Sequence, residues 1–245
     1  MTALPENIRV FACVFIAALL GTIADSDVAH SQLILPAPET VEARDCAECP
    51  ELVQLPSGLF ISRAPITLEE FRVFAAETGY GRGGWGCNWD YAHIEQEPDH
   101  PAVCLTFEDA SAYADWLAKK TGRAYRLPSL SEMRYAALAN SPDSYWWGRS
   151  VGKNRANCVV CGSPYDGKGT SPVSTFPPND FGLYDAVGNA WIWTGTCVAE
   201  DDCSEHFLVG GGWSSPPADL RVSKTISNTA NVPYNNYGMR VVRPE

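Results

Sequence analysis

Apolar residues recur every three or four positions in three segments of the chain, a spacing that predicts amphipathic helices. The first segment spans residues 67–79, with Phe71 in the middle of its apolar face. Thr67 and Glu70 stand three residues apart at its start, which is the pattern of a capping box, and Gly79 follows as a stop signal. We therefore expect a helix between Thr67 and Gly79.

The second and third segments carry similar signals. Residues 108–121 repeat apolar side chains at helical spacing and end at Gly122. After Pro128, Ser129 and Glu132 form a second capping box. The inward-facing positions of the two segments are Ala110, Tyr113, Ala114, Leu117, Met133, Ala136 and Ala137. Two further helices are expected, one over residues 108–121 and one after Pro128.

Beyond Asn140 the pattern changes to short strand-like runs between Gly, Pro and Asn clusters. The 245 residues include 20 Gly, 18 Pro and 8 Trp, which favours many turns held by large rings. With 45% hydrophobic and 19% charged residues, the chain also has enough apolar side chains to bury a core. Helices early in the chain and irregular strands later predict a loop-rich α+β domain.

The charge balance excludes one class of partner. Asp and Glu number 29 against 18 Lys and Arg, a formal net charge of −11. The average surface of such a protein repels nucleic acid and anionic membranes. The expected partner is a protein, a peptide or a small-molecule ligand, and not a nucleic acid.

The N-terminal residues predict export. Arg9 precedes an apolar run over residues 10–23, and small residues follow where a signal peptidase could cut. The run is 14 residues long, whereas a membrane span needs about 20, so cleavage would leave no membrane-inserted segment. The prediction is a signal peptide over residues 1–31, a Pro-rich acidic linker over 32–45 and one domain over 46–245, in a monomeric periplasmic or secreted protein.

Eight cysteines follow the predicted signal peptide, an even number that fits disulfides in an oxidising compartment. Cys87 with Cys104, and Cys197 with Cys203, bracket short loops. We expect each of these two pairs to form a local disulfide.

The other four cysteines form two C-x-x-C pairs, Cys46 with Cys49 and Cys158 with Cys161. They are also expected in disulfides, although their connectivity is open. A four-thiolate zinc site that joins the two pairs is the alternative.

Two sequence features that could indicate a binding or catalytic site do not have the neighbouring sequence that such a site requires. Gly79, Gly81 and Gly84 spell G-x-G-x-x-G, but they follow a helix and open no second one, so no dinucleotide-binding loop is expected. His100 precedes Pro101, and we interpret it as a turn residue that hydrogen-bonds backbone rather than as a catalytic base.

Several motifs, taken in order, resemble one known family. They are HPAV at residues 100–103, FEDA at 107–110, YRLPS at 125–129, FGLYDAVGNAW at 181–191, GGW at 211–213 and GMR at 238–240. Together they resemble the formylglycine-generating enzyme, or sulfatase-modifying factor, family over the whole segment from Cys46 onward. The resemblance implies a C-type-lectin-like variant fold with little regular secondary structure, in agreement with the α+β prediction.

The same resemblance implies an activity whose ligands are missing. Formylglycine-generating enzymes oxidise a substrate cysteine with oxygen, using two copper-binding cysteines after the Gly-Gly-Trp motif. Soft thiolates suit Cu(I), but residues 213–224 contain no cysteine, and the hydroxyls of Ser214 and Ser215 are hard ligands. Copper and formylglycine generation are therefore not expected.

Two functions remain after the loss of the copper ligands. The first is a noncatalytic, exported binding module. The alternative is an enzyme of oxidative or other tailoring chemistry in the periplasm, similar to the siderophore-maturation members of the family, or one that generates formylglycine with other residues.

The resemblance also implies calcium as a structural cofactor. One family calcium site maps onto the side chains of Asn157 and Asp166 and the backbone oxygens of Cys158 and Lys168. These are hard oxygen ligands of the kind that Ca²⁺ takes. The alternative is that Asp166 only caps a turn.

A second family calcium site maps onto Asp185 and the carbonyl oxygens of Gly188 and Ala190. The family usually adds a glutamate two residues later, where Ile192 stands in this chain. This site has therefore lost a ligand, and Asp185 too could act only as a turn cap.

Overall fold

The structure is a computed structural model that describes residues 42–81 and 86–245. The predicted signal peptide and most of the predicted linker lie outside the described residues, as does Gly84 of the glycine motif. Residues 42–45, which the sequence assigns to the linker, belong to the ordered fold, because Glu42 and Ala43 pair with a neighbouring strand.

Three helices form where the sequence predicts them. They are α1 Leu68–Thr78, α2 Phe107–Thr121 and α3 Leu130–Leu138. All three begin with a capping box, and α1 and α2 end at Gly79 and Gly122 in the left-handed conformation. Helix α2 begins one residue before its predicted start, because Thr106 and Asp109 form a capping box there.

Eight short strands form two four-stranded sheets in the described part of the chain. The strands are β1 Glu42–Ala43, β2 Leu52–Gln54, β3 Phe60–Ser62, β4 Trp191–Ala199, β5 Asp202–Val209, β6 Thr225–Thr229, β7 Tyr237–Gly238 and β8 Val242–Arg243. The first sheet has the order β1-β2-β3-β8 and is antiparallel throughout. The second has the order β6-β5-β4-β7, and its β4–β7 pair is parallel.

The first sheet joins the two ends of the described chain. Phe60 of β3 pairs with Arg243 of β8. The Arg243 guanidinium lies 4.1 Å from the centre of the Phe60 ring and donates hydrogen bonds of 2.6 and 3.1 Å to the Asp45 carboxylate. This ion pair is almost fully buried, so Asp45 helps to hold β8 in the fold.

Helices α1 and α2 pack through aromatic rings into what we call the helical core, formed by Phe71, Phe74, Tyr113, Trp116 and Leu117 with strand residue Trp193. Phe71 stacks on Tyr113 with 5.6 Å between ring centroids, and Phe74 contacts Phe71 edge to face at 5.1 Å. The apolar faces that predicted α1 and α2 are therefore the faces that form this core.

Helix α3 packs in a second apolar cluster, against loop residues that precede β4. The Asn179 amide connects the two parts, because it donates to the carbonyl oxygen of Ala136 at 2.7 Å and accepts from the amides of Phe181 and Leu183. A buried side chain thus satisfies backbone groups at the end of α3 and in the loop.

Four disulfides close local loops. Cys87 pairs with Cys104 and Cys197 with Cys203, 17 and 6 residues apart. Each C-x-x-C pair closes on itself, Cys46 with Cys49 and Cys158 with Cys161. The structure therefore leaves no thiolate from these four residues for a shared zinc site.

Candidate functional site

The Gly-Gly-Trp motif lies where three loops converge. A Cβ added to Gly211, which has φ of +75°, would lie 2.7 Å from the Leu220 side chain, and one added to Gly212 would lie 3.0 Å from Asn236. Glycine is needed here because the backbone approaches its neighbours so closely. Trp213 follows directly, and its backbone amide donates to the carbonyl of Asn189.

Ser214 and Ser215 occupy the start of the segment in which the family resemblance places copper cysteines. The Ser214 hydroxyl accepts a 2.8 Å hydrogen bond from the Asn236 amide. The Ser215 hydroxyl is buried and accepts from the Trp191 indole at 2.9 Å and from the backbone amide of Gly212 at 3.0 Å. Both hydroxyls therefore hold the loop in place as hydrogen-bond acceptors.

We call Trp213, Ser214, Tyr234, Asn235 and Asn236 the Trp213 surface. The Trp213 indole donates to the Asn235 carbonyl, and Tyr234 is 52% exposed. Trp213 itself is half-buried. The surface combines aromatic rings with amide and hydroxyl groups, a composition suited to ligand contact.

The buried amide of Asn189 organises the loops behind the Trp213 surface. Its Oδ1 accepts from the Ser171 backbone amide at 2.9 Å, and its Nδ2 donates to the Ser171 carbonyl at 3.1 Å. The Asn157 amide donates to Asn189 Oδ1 at 3.3 Å and to the Gly169 carbonyl at 2.9 Å. We call Asn157, Ser171 and Asn189, with the backbone they hold, the Asn189 network.

The first set of predicted calcium ligands lies along one of these loops. Asn157 is fully buried, and its Oδ1 has no hydrogen-bond partner among the described residues. Asp166 accepts from the backbone amides of Val160 and Gly162 at 2.6 and 3.0 Å, so it does cap the turn of the Cys158–Cys161 disulfide. The turn-cap geometry leaves room for a metal role, since each carboxylate oxygen has a second lone pair.

The second set centres on a buried carboxylate. Asp185 Oδ2 accepts from the Ser174 amide at 3.0 Å, whereas Oδ1 is buried without a partner among the described residues. Burial raises the pKa of Asp185 to about 6. Ile192 stands where the family has glutamate and is 1% exposed in β4.

The two predicted sets contact each other through Gly188. A Cβ on Gly188 would lie 2.8 Å from the backbone oxygen of Asn157. The Gly188 amide donates to Gly210, and the Gly188 carbonyl accepts from the Ala190 amide at 2.8 Å. The structure therefore brings both sets to the same group of loops as the Gly-Gly-Trp motif.

Metal binding by charged side chains alone is limited in the part of the chain that the structure describes. No three residues among His, Cys, Asp and Glu there lie close enough to hold one ion. A calcium ion would therefore need amide and backbone carbonyl oxygens, as the family ligand sets supply.

Asn189 and Ser171 are functional-site residues that the sequence reasoning did not single out. The available signal was a polar Asn189 inside the apolar run that leads into β4. A buried amide in such a run must find hydrogen-bond partners, although the sequence does not show where they lie.

His100 lies in a turn, as predicted, because its backbone amide donates to the Glu97 carbonyl. Its ring contacts a side chain rather than backbone, with Nδ1 2.9 Å from the Thr170 hydroxyl. Burial lowers the pKa of His100, which favours the neutral form of the ring.

The sequence profile of the sulfatase-modifying factor enzyme 1-like domain matches residues 22–245. The chain belongs to this family. The inactive C-alpha-formylglycine-generating enzyme 2 of Bos taurus is 34% identical over 160 residues, which are 60% of this chain and 51% of that protein. The formylglycine-generating enzyme of Mycobacterium tuberculosis is 40% identical over 112 residues, 42% of this chain and 36% of that protein. The matches thus span about half or less of these relatives.

Solved structures agree with the family assignment. PvdO from Pseudomonas aeruginosa has a TM-score of 0.75 and 27% identity, covering 84% of this chain and 98% of that one. CarF has a TM-score of 0.64 and 22% identity over 76% of this chain and 86% of that one, a likeness of fold alone. The predicted α+β fold of this family is confirmed.

The described residues contain no helix that is both long enough and apolar enough to cross a bilayer. Within them, the eight cysteines form four disulfides. Disulfides in this number are typical of an oxidising compartment outside the cytoplasm.

Proposed function

We propose that this chain is an exported sulfatase-modifying-factor-like binding module that does not generate formylglycine. One observation carries the proposal: residues 213–224, where the family resemblance places the copper thiolates, contain no cysteine. The hydroxyls of Ser214 and Ser215 are already hydrogen-bonded to Asn236, Trp191 and Gly212. Hydroxyls do not replace thiolates as ligands of Cu(I).

The state of the other cysteines supports the same conclusion. All eight that the structure describes are in disulfides, so none of them offers a thiolate from elsewhere in the fold. Likeness to relatives does not decide the matter, because the chain resembles both a formylglycine-generating enzyme and an enzyme named as inactive. The residues of the segment itself are therefore the better guide.

The surface proposed to bind a ligand is the Trp213 surface. Its backbone is fixed by hydrogen bonds from Trp213 to Asn189 and Asn235. A preorganised surface loses little conformational entropy when it binds. The half-buried Trp213 ring and the exposed Tyr234 ring provide flat apolar area, and Asn236 provides a polar group beside them.

Calcium is proposed as a structural ion of this module. The support is the pair of buried oxygens, Asn157 Oδ1 and Asp185 Oδ1, that lack a partner among the described residues. Such acceptors destabilise a fold unless a cation or water satisfies them. Asn157 and Asp166, with the carbonyls of Cys158 and Lys168, would hold one ion.

The second calcium position should bind its ion less tightly than the first, because it has fewer ligands. Asp185 and the carbonyls of Gly188 and Ala190 would hold the ion, and Ile192 supplies no oxygen. A bound cation would be coordinated by oxygens of the loops behind the Trp213 surface and would in this way connect them. It would also favour the ionised form of Asp185, whose pKa burial raises.

The catalytic part of the proposal is tested with a sulfatase-motif cysteine peptide. The purified chain is incubated with the peptide and oxygen, with and without added copper, and mass spectrometry follows the conversion of cysteine to formylglycine. The formylglycine-generating enzyme of Mycobacterium tuberculosis is the positive control. We expect no conversion above a no-protein control, and turnover in the presence of this chain would overturn the proposal.

A second candidate is an oxidative tailoring enzyme that uses the same surface. This is the alternative that the resemblance to siderophore-maturation members of the family leaves open, and the chain shares the fold of PvdO over 98% of that protein's length. Oxygen uptake that depends on a peptidyl siderophore precursor and is lost in Trp213→Ala would support this candidate. Binding of the precursor without oxygen uptake would favour the binding module.

A further inference from the structure

A cleft of about 320 Å³ lies between the turn before His100 and the loop after the Cys158–Cys161 disulfide. Its lining residues are Glu95, Gln96, Glu97, His100, Tyr165, Lys168, Gly169 and Thr170. None of them belongs to the Trp213 surface, and the motifs that carry the family resemblance include His100 alone among them. Lys168 also belongs to the first predicted calcium set, but through its backbone oxygen and not its side chain. The volume lies at the lower end of the range for small-ligand sites, which begins at roughly 300 Å³.

His100 is a lining residue of the cleft, and a hydrogen bond to Thr170 positions its ring. His100 is 7% exposed, and its Nδ1 lies 2.9 Å from Thr170 Oγ1. The same hydroxyl accepts a 3.1 Å hydrogen bond from Gln96 Nε2, which also donates to the Pro101 carbonyl at 2.8 Å. Gln96 therefore occupies one lone pair of Thr170 Oγ1, and the hydroxyl proton is available for His100 Nδ1.

The Thr170 hydroxyl can donate to Nδ1 or accept from it, and the binding scheme below uses the tautomer in which it donates. A neutral imidazole that accepts at Nδ1 carries its proton at Nε2. Among the described residues, Nε2 of His100 has no hydrogen-bond partner, and it is not one of the fully buried atoms that lack one. In that tautomer, the Nε2–H is free to donate to a ligand in the cleft that His100 lines.

Charged groups of both signs line the same cleft. Glu95, Glu97 and Lys168 are exposed, and none of the three forms an ion pair within residues 42–81 and 86–245. The Lys168 ammonium donates to the Pro164 carbonyl at 3.0 Å, which positions it and leaves two of its protons for other acceptors.

We propose that this cleft binds a small ligand that carries both an ammonium and a carboxylate, namely an amino acid or a short peptide with free ends. Lys168 Nζ and the Nε2–H of His100 bind the carboxylate, and Glu95 and Glu97 bind the ammonium. Hydrogen bonds between charged groups are the strong ones in recognition. The inference does not depend on whether the Trp213 surface binds a ligand or on the absence of formylglycine generation.

The test is isothermal titration calorimetry of the purified chain with L-alanyl-L-alanine as the probe. N-acetyl-alanyl-alanine removes the ammonium, and alanyl-alanine amide removes the carboxylate. L-alanine, titrated in parallel, distinguishes a free amino acid from a peptide as the better ligand. We expect at least one of the two free-ended probes to bind, and each capped form to bind about tenfold or more weakly.

Variants at the cleft test the contacts to the carboxylate and to the ammonium of the ligand separately. Lys168→Met should weaken the free dipeptide about tenfold and leave alanyl-alanine amide unchanged. Glu95→Gln combined with Glu97→Gln should weaken the free dipeptide and leave the N-acetyl form unchanged. Glu200→Gln, on the hairpin between β4 and β5, is the matched control and should leave all affinities unchanged.

Thr170 serves as the positioning residue in this scheme. Thr170→Val removes the proton that His100 Nδ1 accepts and should weaken binding of the carboxylate, whereas Thr170→Ser should restore it. If Thr170→Val does not fold, the Lys168 variant still decides, because that side chain is exposed. Absence of heat with both free-ended probes at millimolar concentration, or equal binding of free and capped dipeptides, would overturn the proposal.

Discussion

The helical core and the Asn189 network stabilise the same domain by different kinds of contact. In the helical core, Phe71, Phe74 and Tyr113 are almost fully buried and contact one another through ring faces and edges. In the Asn189 network, buried amides bind backbone groups of loops that have no regular structure. Ring packing loses stability in proportion to the volume removed, whereas a network leaves several groups unpaired when one member is lost.

The two regions also differ in the distance between partners along the chain. The capping boxes of α1, α2 and α3 join residues three positions apart. The Asn189 network joins residues that are 12, 18 and 32 positions apart. Local signals therefore specify the helices, and the loops behind the Trp213 surface are specified by contacts that form only in the folded chain.

The largest effect is expected from Phe71→Ala. Phe71 is fully buried, and removal of its ring leaves a cavity in the helical core, so the free energy of unfolding should fall by about 3–5 kcal/mol. Urea unfolding followed by circular dichroism measures it. Phe71→Leu keeps more of the volume and should cost much less. A loss below about 1.5 kcal/mol for Phe71→Ala would mean that the core collapses around the cavity.

Asn189→Ala should cost about 2–4 kcal/mol, since it leaves the backbone N–H and C=O of Ser171 without these partners. The same urea titration applies. Asn231→Ala, at an exposed loop position, is the control and should stay within about 0.5 kcal/mol of the parent. Equal losses for the two variants would show that water replaces the network without cost.

Calcium should stabilise the Asn189 network without acting on the helical core. At free calcium about 100-fold above its Kd, linkage adds about 2.7 kcal/mol, or about 5–10 °C in Tm for a domain of this size. Differential scanning fluorimetry with calcium or chelator measures the shift. Asp166→Asn should abolish most of it and Asp185→Asn less, because Ile192 has already weakened the second position.

Two results would count against this account of calcium. A Tm that is indifferent to calcium and chelator, with no calcium in elemental analysis, would leave Asp166 and Asp185 as turn caps. A larger effect of Asp185→Asn than of Asp166→Asn would reverse the order of the two positions.

The smallest effect concerns acid stability at α3. Hydrogen bonds from Arg126, aided by the Ser129 amide, lower the pKa of Glu132 to about 2. A carboxylate with a lowered pKa stabilises the fold above its unfolded pKa, near 4.3, and this contribution is lost as the pH falls towards 2. With allowance for its partial exposure, about 0.5–1 kcal/mol is involved.

Glu132→Gln tests this pH dependence. The variant should be less stable than the parent at pH 7, and the difference should fall by about half at pH 3, where Glu132 of the folded parent is still mostly ionised, as urea unfolding at the two pH values would show. A difference that stays constant between the two pH values would mean that the charge of Glu132 does not contribute.

The sequence predicts most of the helical core and little of the Asn189 network. Thr67, Ser129 and Gly79 mark helix ends by local chemistry, and they do so in the structure. The irregular loops become predictable only through the family resemblance, which assigns Asn157 and Asp185 to two calcium sites but gives no hydrogen-bond partner for Asn189. A side chain such as Asn189 has many possible backbone partners, and the choice depends on the packing of the whole domain.

His100 shows the same limit at a single residue. Its position before Pro101 predicts a turn, and the backbone makes one. The ring's contact with Thr170, 70 residues away, could not be read from the sequence.

The pairing of β3 with β8 has a consequence for the order in which the chain can fold. A ribosome delivers Asp45 long before Arg243, which lies 198 residues later, yet the first sheet needs both. The disulfides close spans of 3 to 17 residues, so each one needs only a short stretch of chain once the protein reaches an oxidising compartment. The small loops can therefore close before the first sheet is complete, and until β8 arrives one edge of β3 stays unpaired and open to pairing with another chain.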